Sequence, residues 1–247
     1  MSSTSRHPIE RWTSATAVEN YKNQPATEIT VNDRAATRHA IIARVRQHEL
    51  EFIERSHWAA HRNRSANMRD DWNYEAIAVH TAGRSHACGP AALQLQAIQD
   101  MQMGTKDSPK DDIAYHYALD CFGNVYEGRD IRFKGEHLYQ FNTGAIGIVL
   151  LENLIESSET DDVVGKALRF LGKLGYRRQP MAPEAQQHAL LHLISILREV
   201  FPIKTLGGHR EFPRQAKGDG RVCPGNVGIA LVERVRIATG LAMPETD

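Results

Sequence analysis

Glu75-Ala76-Ile77-Ala78-Val79-His80 and, further on, Ala145-Ile146-Gly147-Ile148-Val149-Leu150-Leu151 are the two runs that decide the fold class. Each is too short for a buried helix and too continuously apolar for a strand with one wet face, so both read as central strands covered on two sides. Outward from them the chain alternates helical and extended patterns. Gly89-Pro90 opens a helix over residues 91–103, with Leu93, Leu95, Ile98 and Met101 among its apolar positions. Residues 113–119 alternate like a strand, Asp120 to Asn124 turn, and Val125-Tyr126-Glu127 pair back as a hairpin. Pro183 starts the strongest helix, residues 184–201, with Leu190, Leu193, Ile194 and Leu197 on one face. A weaker helix is expected over 163–174 after an acidic linker at 156–162, and a closing helix over 227–241. The expectation is an α/β protein: a central mixed β-sheet flanked by helices, with an N-terminal extension.

The bulk properties narrow the partners. Thirty basic residues balance thirty acidic ones, so no overall field favours nucleic acid or an anionic membrane. No stretch reaches the roughly 18 apolar residues of a membrane span. The opening Met1-Ser2-Ser3-Thr4-Ser5-Arg6-His7-Pro8 has no apolar core of a secretion signal, so synthesis as a soluble cytoplasmic protein is expected. Three cysteines, Cys88, Cys121 and Cys223, are too few for a disulfide framework and are expected to be reduced, a Cys88–Cys121 bond being the minor alternative. Residues 1 to about 30 read as a polar arm, and a helical period follows through Ile41, Ile42, Val45, Leu50 and Phe52. Residues 1–50 are therefore taken as an extension, 51–241 as the functional domain and 242–247 as a tail.

Three residues stand where chemistry is expected. His80 closes a strand, the place where open α/β sheets present ligands to solvent. His209 follows Gly207-Gly208, and Cys223 precedes Pro224-Gly225, turns that would hold a ring and a thiolate fixed. Two imidazoles and a thiolate suit zinc; structural zinc sites take four protein ligands, whereas catalytic ones keep three and leave a place for water. Three candidates without a fourth point to hydrolysis.

The motifs around these residues resemble one family. Val79-His80-Thr81-Ala82-Gly83, Asp112-Ile113-Ala114-Tyr115-His116-Tyr117 and Gly123-Asn124-Val125-Tyr126-Glu127-Gly128-Arg129 are similar to segments of the zinc N-acetylmuramoyl-L-alanine amidases. So are Ala145-Ile146-Gly147-Ile148, Gly208-His209-Arg210-Glu211 and Cys223-Pro224-Gly225, in the same order, over residues 52–239. Arg55-Ser56-His57-Trp58-Ala59-Ala60 resembles the segment that enters the first strand. The superfamily includes phage amidase-type lysozymes and peptidoglycan recognition proteins.

The resemblance implies Zn²⁺ on His80, His209 and Cys223, and cleavage of the amide between N-acetylmuramic acid and L-alanine in peptidoglycan. Zinc lowers the pKa of bound water from ~15.7 to about 7, making hydroxide available at neutral pH. Tyr115 matches the family's active-site tyrosine, and its phenol, with a reference pKa of ~10, would orient the nucleophile or steady the oxyanion. Arg221 stands where phage enzymes place a lysine; it would supply fixed charge but no proton. His137, Arg129 and Thr81 are the expected substrate-binding residues. His116 should face away from Tyr115. Val149 and Cys223 set the chain nearer the phage and recognition-protein branch than the cytoplasmic recycling branch, which has a glutamate and an aspartate at these places. The alternatives are a binding module without turnover and a recycling amidase. Muropeptides are the expected partners, with a secretion machine and an immunity protein if delivery is contact-dependent, and action in the periplasm or cell wall after non-classical delivery.

Overall fold

Six strands form one mixed sheet in which the two apolar runs lie side by side at the centre. A computed structural model describes residues 34–60, 63–83, 88–106, 109–156, 158–159, 181–215 and 222–245. The strands are β1 (Phe52–Ile53), β2 (Ala76–Thr81), β3 (Tyr117–Leu119), β4 (Val125–Glu127), β5 (Ala145–Leu150) and β6 (Thr205–Gly208). Their order across the sheet is β1-β4-β3-β5-β2-β6, every neighbouring pair parallel except the β3–β4 hairpin. Among the described residues, four α-helices accompany them: α1 (Arg34–Gln47), α2 (Ala91–Gly104), α3 (Glu184–Val200) and α4 (Asn226–Thr239). The expected class, a mixed sheet flanked by helices, is what the chain forms.

The faces of the sheet differ. Ile77 and Val79 of β2, Ile146 and Ile148 of β5, and Leu206 of β6 join α1, α3 and α4 in the main core. Leu190, Leu193, Ile194 and Leu197 of α3 are wholly buried there, each contributing about 1.5–3 kcal/mol. Helix α1 adds Ala40, Ile41, Ile42 and Val45 to that same core, and its Arg38 pairs with Glu127 and Glu54. Trp58 packs with Leu95 and Ile98 of α2 in a second cluster, its indole N–H donating to the Glu127 carbonyl at 2.7 Å. The alternate residues Ala78 on β2, Gly147 on β5 and Gly207 on β6 are in register and share the face opposite the main core. A row of small residues there leaves room for larger rings to lie on the sheet.

Several expectations change. Phe52 is not the end of a helical stripe: α1 stops at Gln47 and Phe52 pairs with Val125 as β1. The strand expected from residue 113 starts at Tyr117. On α2, Leu93 and Met101 are exposed, while Gln94, Gln99 and Gln102 are buried. The glutamines make internal polar bonds: Gln99 donates to Asp112 at 2.6 Å, and Gln102 accepts from the Ala114 amide at 2.8 Å. Cys88 and Cys121 are joined by a disulfide, against the expected free thiols. The physical reason is that β5 lies between β2 and β3, so the segments leaving those two strands meet over its end, where the Cys88 amide donates to Leu151. The arm at 1–30 and the helix expected at 163–174 lie outside the described residues.

Candidate metal centre

Parallel pairing places the first two candidate ligands. Val79 stands opposite Gly208, so the chain leaving β6 brings His209 level with His80, the rings 4.6 Å apart between centroids. Cys223 comes from the turn entering α4, held by the Arg210 amide donating to the Cys223 carbonyl at 3.0 Å. Gly225 carries the tightest approach of that turn: its φ is +88°, and a Cβ there would stand 2.0 Å from the Leu154 carbonyl oxygen. The outcome is a cluster in which one ligand atom each from His80, His209 and Cys223 lies within 4.8 Å of the others.

Hydrogen bonds decide which imidazole nitrogens face inward. His137 Nε2 lies 3.2 Å from the Ala145 carbonyl, which only accepts, so the His137 proton sits on Nε2 and Nδ1 is an acceptor. His80 Nε2 lies 3.1 Å from that Nδ1 and must donate to it. The lone pair of His80 is thereby left on Nδ1, the atom 3.7 Å from Cys223 Sγ. Gln215 acts in parallel on His209. Its Nε2 donates to the Tyr139 and Pro213 carbonyls at 2.9 and 2.7 Å, which fixes its Oε1 toward His209 Nε2 at 3.1 Å. Both histidines are thus held through Nε2, leaving Nδ1 as the ligand atom; either ring nitrogen binds a metal, and the hydrogen bond made by the other decides which.

The residues fit zinc on these grounds. Bonds of 2.0–2.1 Å to nitrogen and 2.3 Å to sulfur at tetrahedral angles separate ligand atoms by about 3.3–3.6 Å, close to the His80–Cys223 spacing. Burial, then the neighbouring His209 and His137 and the Lys110 ammonium, push the His80 pKa well below the ordinary histidine range. His80 is therefore neutral, as a ligand must be.

The other expected residues divide. Tyr115 is half-buried with its ring 4.8 Å from His80 and 6.3 Å from His137, beside the cluster. His137 lies beneath the cluster: it is buried, and a Cβ on Gly147 or Gly135 would stand 2.5 or 2.6 Å from its ring. Those glycines are what admit the ring. His116 faces elsewhere, its Nε2 donating to the Phe133 carbonyl at 2.9 Å and its Nδ1 accepting from the Gly147 amide at 3.0 Å. Burial pushes its pKa down to about 4, against the opposing effect of the Phe133 carbonyl.

Two of the expected substrate-binding residues make internal bonds. Arg129 is 2% exposed, and its guanidinium donates to the carbonyls of Ile113, Lys134 and Asp112 and pairs with Glu136. It holds the 112–136 loops together. The Thr81 hydroxyl donates to the Glu152 carbonyl and accepts from the Leu154 amide at 3.3 Å, bracing the loop after β5. Arg221 lies outside the described residues. A cavity of about 310 Å³ has Arg69, Lys134, Asp111 and Glu136 in its wall, the last adjacent to His137 in sequence. Sequence reasoning missed Gln215, whose only signal is its position six residues after His209.

The profile described as N-acetylmuramoyl-L-alanine amidase matches residues 73–226. Mouse peptidoglycan recognition protein 3 is 35% identical over 103 residues, 41% of this chain; the chain spans only 29% of that protein's length. Peptidoglycan-recognition protein SC2 of Drosophila melanogaster is 32% identical over 131 residues, 53% of this chain and 70% of the relative. Among solved structures, a Drosophila PGRP-LB variant in complex with tracheal cytotoxin superposes with a TM-score of 0.52 at 20% identity, covering 77% of this chain and 96% of that one. That likeness is one of fold.

Proposed function

Since the chain belongs to the N-acetylmuramoyl-L-alanine amidase family, we propose that it is a zinc-dependent hydrolase of the amide between N-acetylmuramic acid and L-alanine in peptidoglycan. The observation that carries the reading is the convergence of His80, His209 and Cys223 within 4.8 Å, with the Tyr115 ring alongside. When bound, zinc supplies an acidified water and a Lewis-acid contact for the scissile carbonyl.

The chain's own groups do the rest. His137 and Gln215 hold the two imidazoles in the tautomer that points Nδ1 inward. Tyr115, at the side of the cluster, donates its phenolic hydrogen bond to the charge that develops on the carbonyl oxygen, a contact that strengthens toward the transition state. Arg221, two positions before Cys223, is assigned a second, fixed positive charge for the same oxygen. Lys134, in the wall of the cavity beside Glu136, is assigned to a stem-peptide carboxylate. The relative solved with tracheal cytotoxin supports a muropeptide as the occupant. Action on the cell wall, with an immunity protein if delivery is contact-dependent, belongs to the same proposal.

Mass spectrometry of muropeptides after incubation tests the reading. Free stem peptides should appear with the native protein and vanish both with a chelator and in Cys223→Ser. Binding of muropeptides without any release of stem peptide would refute it in favour of a recognition module.

A further inference from the structure

Helix α3 turns two histidines outward from the main core. His188 and His192 stand one turn apart, their Nε2 atoms 2.9 Å from each other and their ring centroids 4.2 Å apart. A third ring arrives from a different element: His48, just past the end of α1, lies 5.0 Å from His192 between centroids. His188 and His48 are exposed and His192 half-buried, so the group faces solvent at the seam where α1 packs on α3. Nothing in the amidase reading uses these residues.

We propose that His188 and His192 form a second binding site for a divalent transition metal of the zinc, copper or nickel class, which His48 completes by turning its ring toward the pair, so that the metal bridges α1 to α3. Histidines at i and i+4 on one helix face are a chelating pair, the same spacing by which helical zinc sites take two ligands. Two zinc–nitrogen bonds at a tetrahedral angle hold their nitrogens about 3.3–3.4 Å apart; the Nε2 atoms here need open by only a few tenths of an ångström. Imidazole is the ligand these metals share, whereas magnesium and calcium prefer oxygen. Burial, then the adjoining His188 and His48, keep the His192 pKa below its ordinary value, so its lone pair is present at neutral pH. The third ligand gives the site a mechanical role. Residue 48 lies outside the matched family segment and residues 188 and 192 within it. A metal there ties the added helix to the family domain, in a position unrelated to the centre at His80.

Zinc titration with metal counting tests this on the full chain, using native protein, Cys223→Ser, His48→Ala and His188→Ala/His192→Ala. Loss of the helical pair should lower the bound metal by one equivalent. That decrement should persist in the Cys223→Ser background, which separates this site from failure of the amidase centre. His48→Ala should weaken the same equivalent at least tenfold and abolish its contribution to the zinc-dependent rise in Tm. An unchanged metal count in the paired variant overturns the site, and an unchanged affinity in His48→Ala overturns the bridge. His48 and His188 are exposed and His192 is half-buried, outside the main core, so the fold is expected to survive the substitutions.

Discussion

Replacing His137 by alanine tests whether this residue sets the tautomer of His80. The His80 Nε2–H would lose its acceptor in a place only 1% exposed, and an unsatisfied buried donor costs about 1–3 kcal/mol. His80 would regain some of that by moving its proton to Nδ1, the nitrogen that faces Cys223, and would then no longer be a ligand in that state. The two routes lead to the same quantity, a zinc affinity lowered by about 10–100-fold, the range found for lost outer partners of metal-binding histidines. His137→Gln is the control: its amide oxygen can accept from His80 while its amide hydrogens donate to Ala145, as the imidazole does now. Competition against a chromophoric chelator gives the dissociation constant, and the visible spectrum of the cobalt form reports ligand geometry. The alanine variant should bind weakly with an altered cobalt spectrum, and the glutamine variant should recover most of both. Zinc affinity within twofold of native in His137→Ala would refute the tautomer argument, since the ring would then be only packing.

Acid should weaken the fold through His116. Its pKa is about 4 folded against about 6.5 unfolded, so between those values the unfolded chain binds more protons and stability rises with pH. The stabilisation from this group is full above about pH 6.5 and is lost on the way down to about 4, a total of roughly 3 kcal/mol. Denaturant titrations across that window should show the slope, and His116→Gln should flatten it. Reduction of the Cys88–Cys121 bond, which spans 33 residues, should lower stability by up to about 4 kcal/mol on the loop-entropy estimate. Parallel thermal melts with and without reductant read this, and identical melts would show that the bond constrains nothing.

The chain announces its architecture more readily than its wiring. β2 and β5 are legible because strands covered on both faces must be apolar at every position, and no other element of that length has that pattern. α3 is legible because its stripe is long and its start is marked by Pro183. α2 misleads because its inward glutamines are held by Asp112 and by the Ala114 amide, partners that local periodicity cannot contain. The three ligand candidates could be picked out from turn chemistry and motif. The roles of their neighbours could not: His137, Arg129 and Thr81 all carry polar groups, and only the three-dimensional path of the chain shows that each one meets other parts of the protein. Gln215 escaped because a glutamine in a loop has no pattern of its own, although its amide fixes His209.

The wide dispersal of the metal donors along the chain has a kinetic consequence. Cys223 is 143 residues from His80, and His209 reaches the cluster only after β6 has paired with the edge of β2. No short fragment emerging from a ribosome can gather the three, and closures over such distances come late because their entropy must be overcome before any contact repays it. On the proposed zinc reading, metal capture would therefore be a terminal event, and the fraction of molecules loaded with zinc would count those that have finished assembling the sheet.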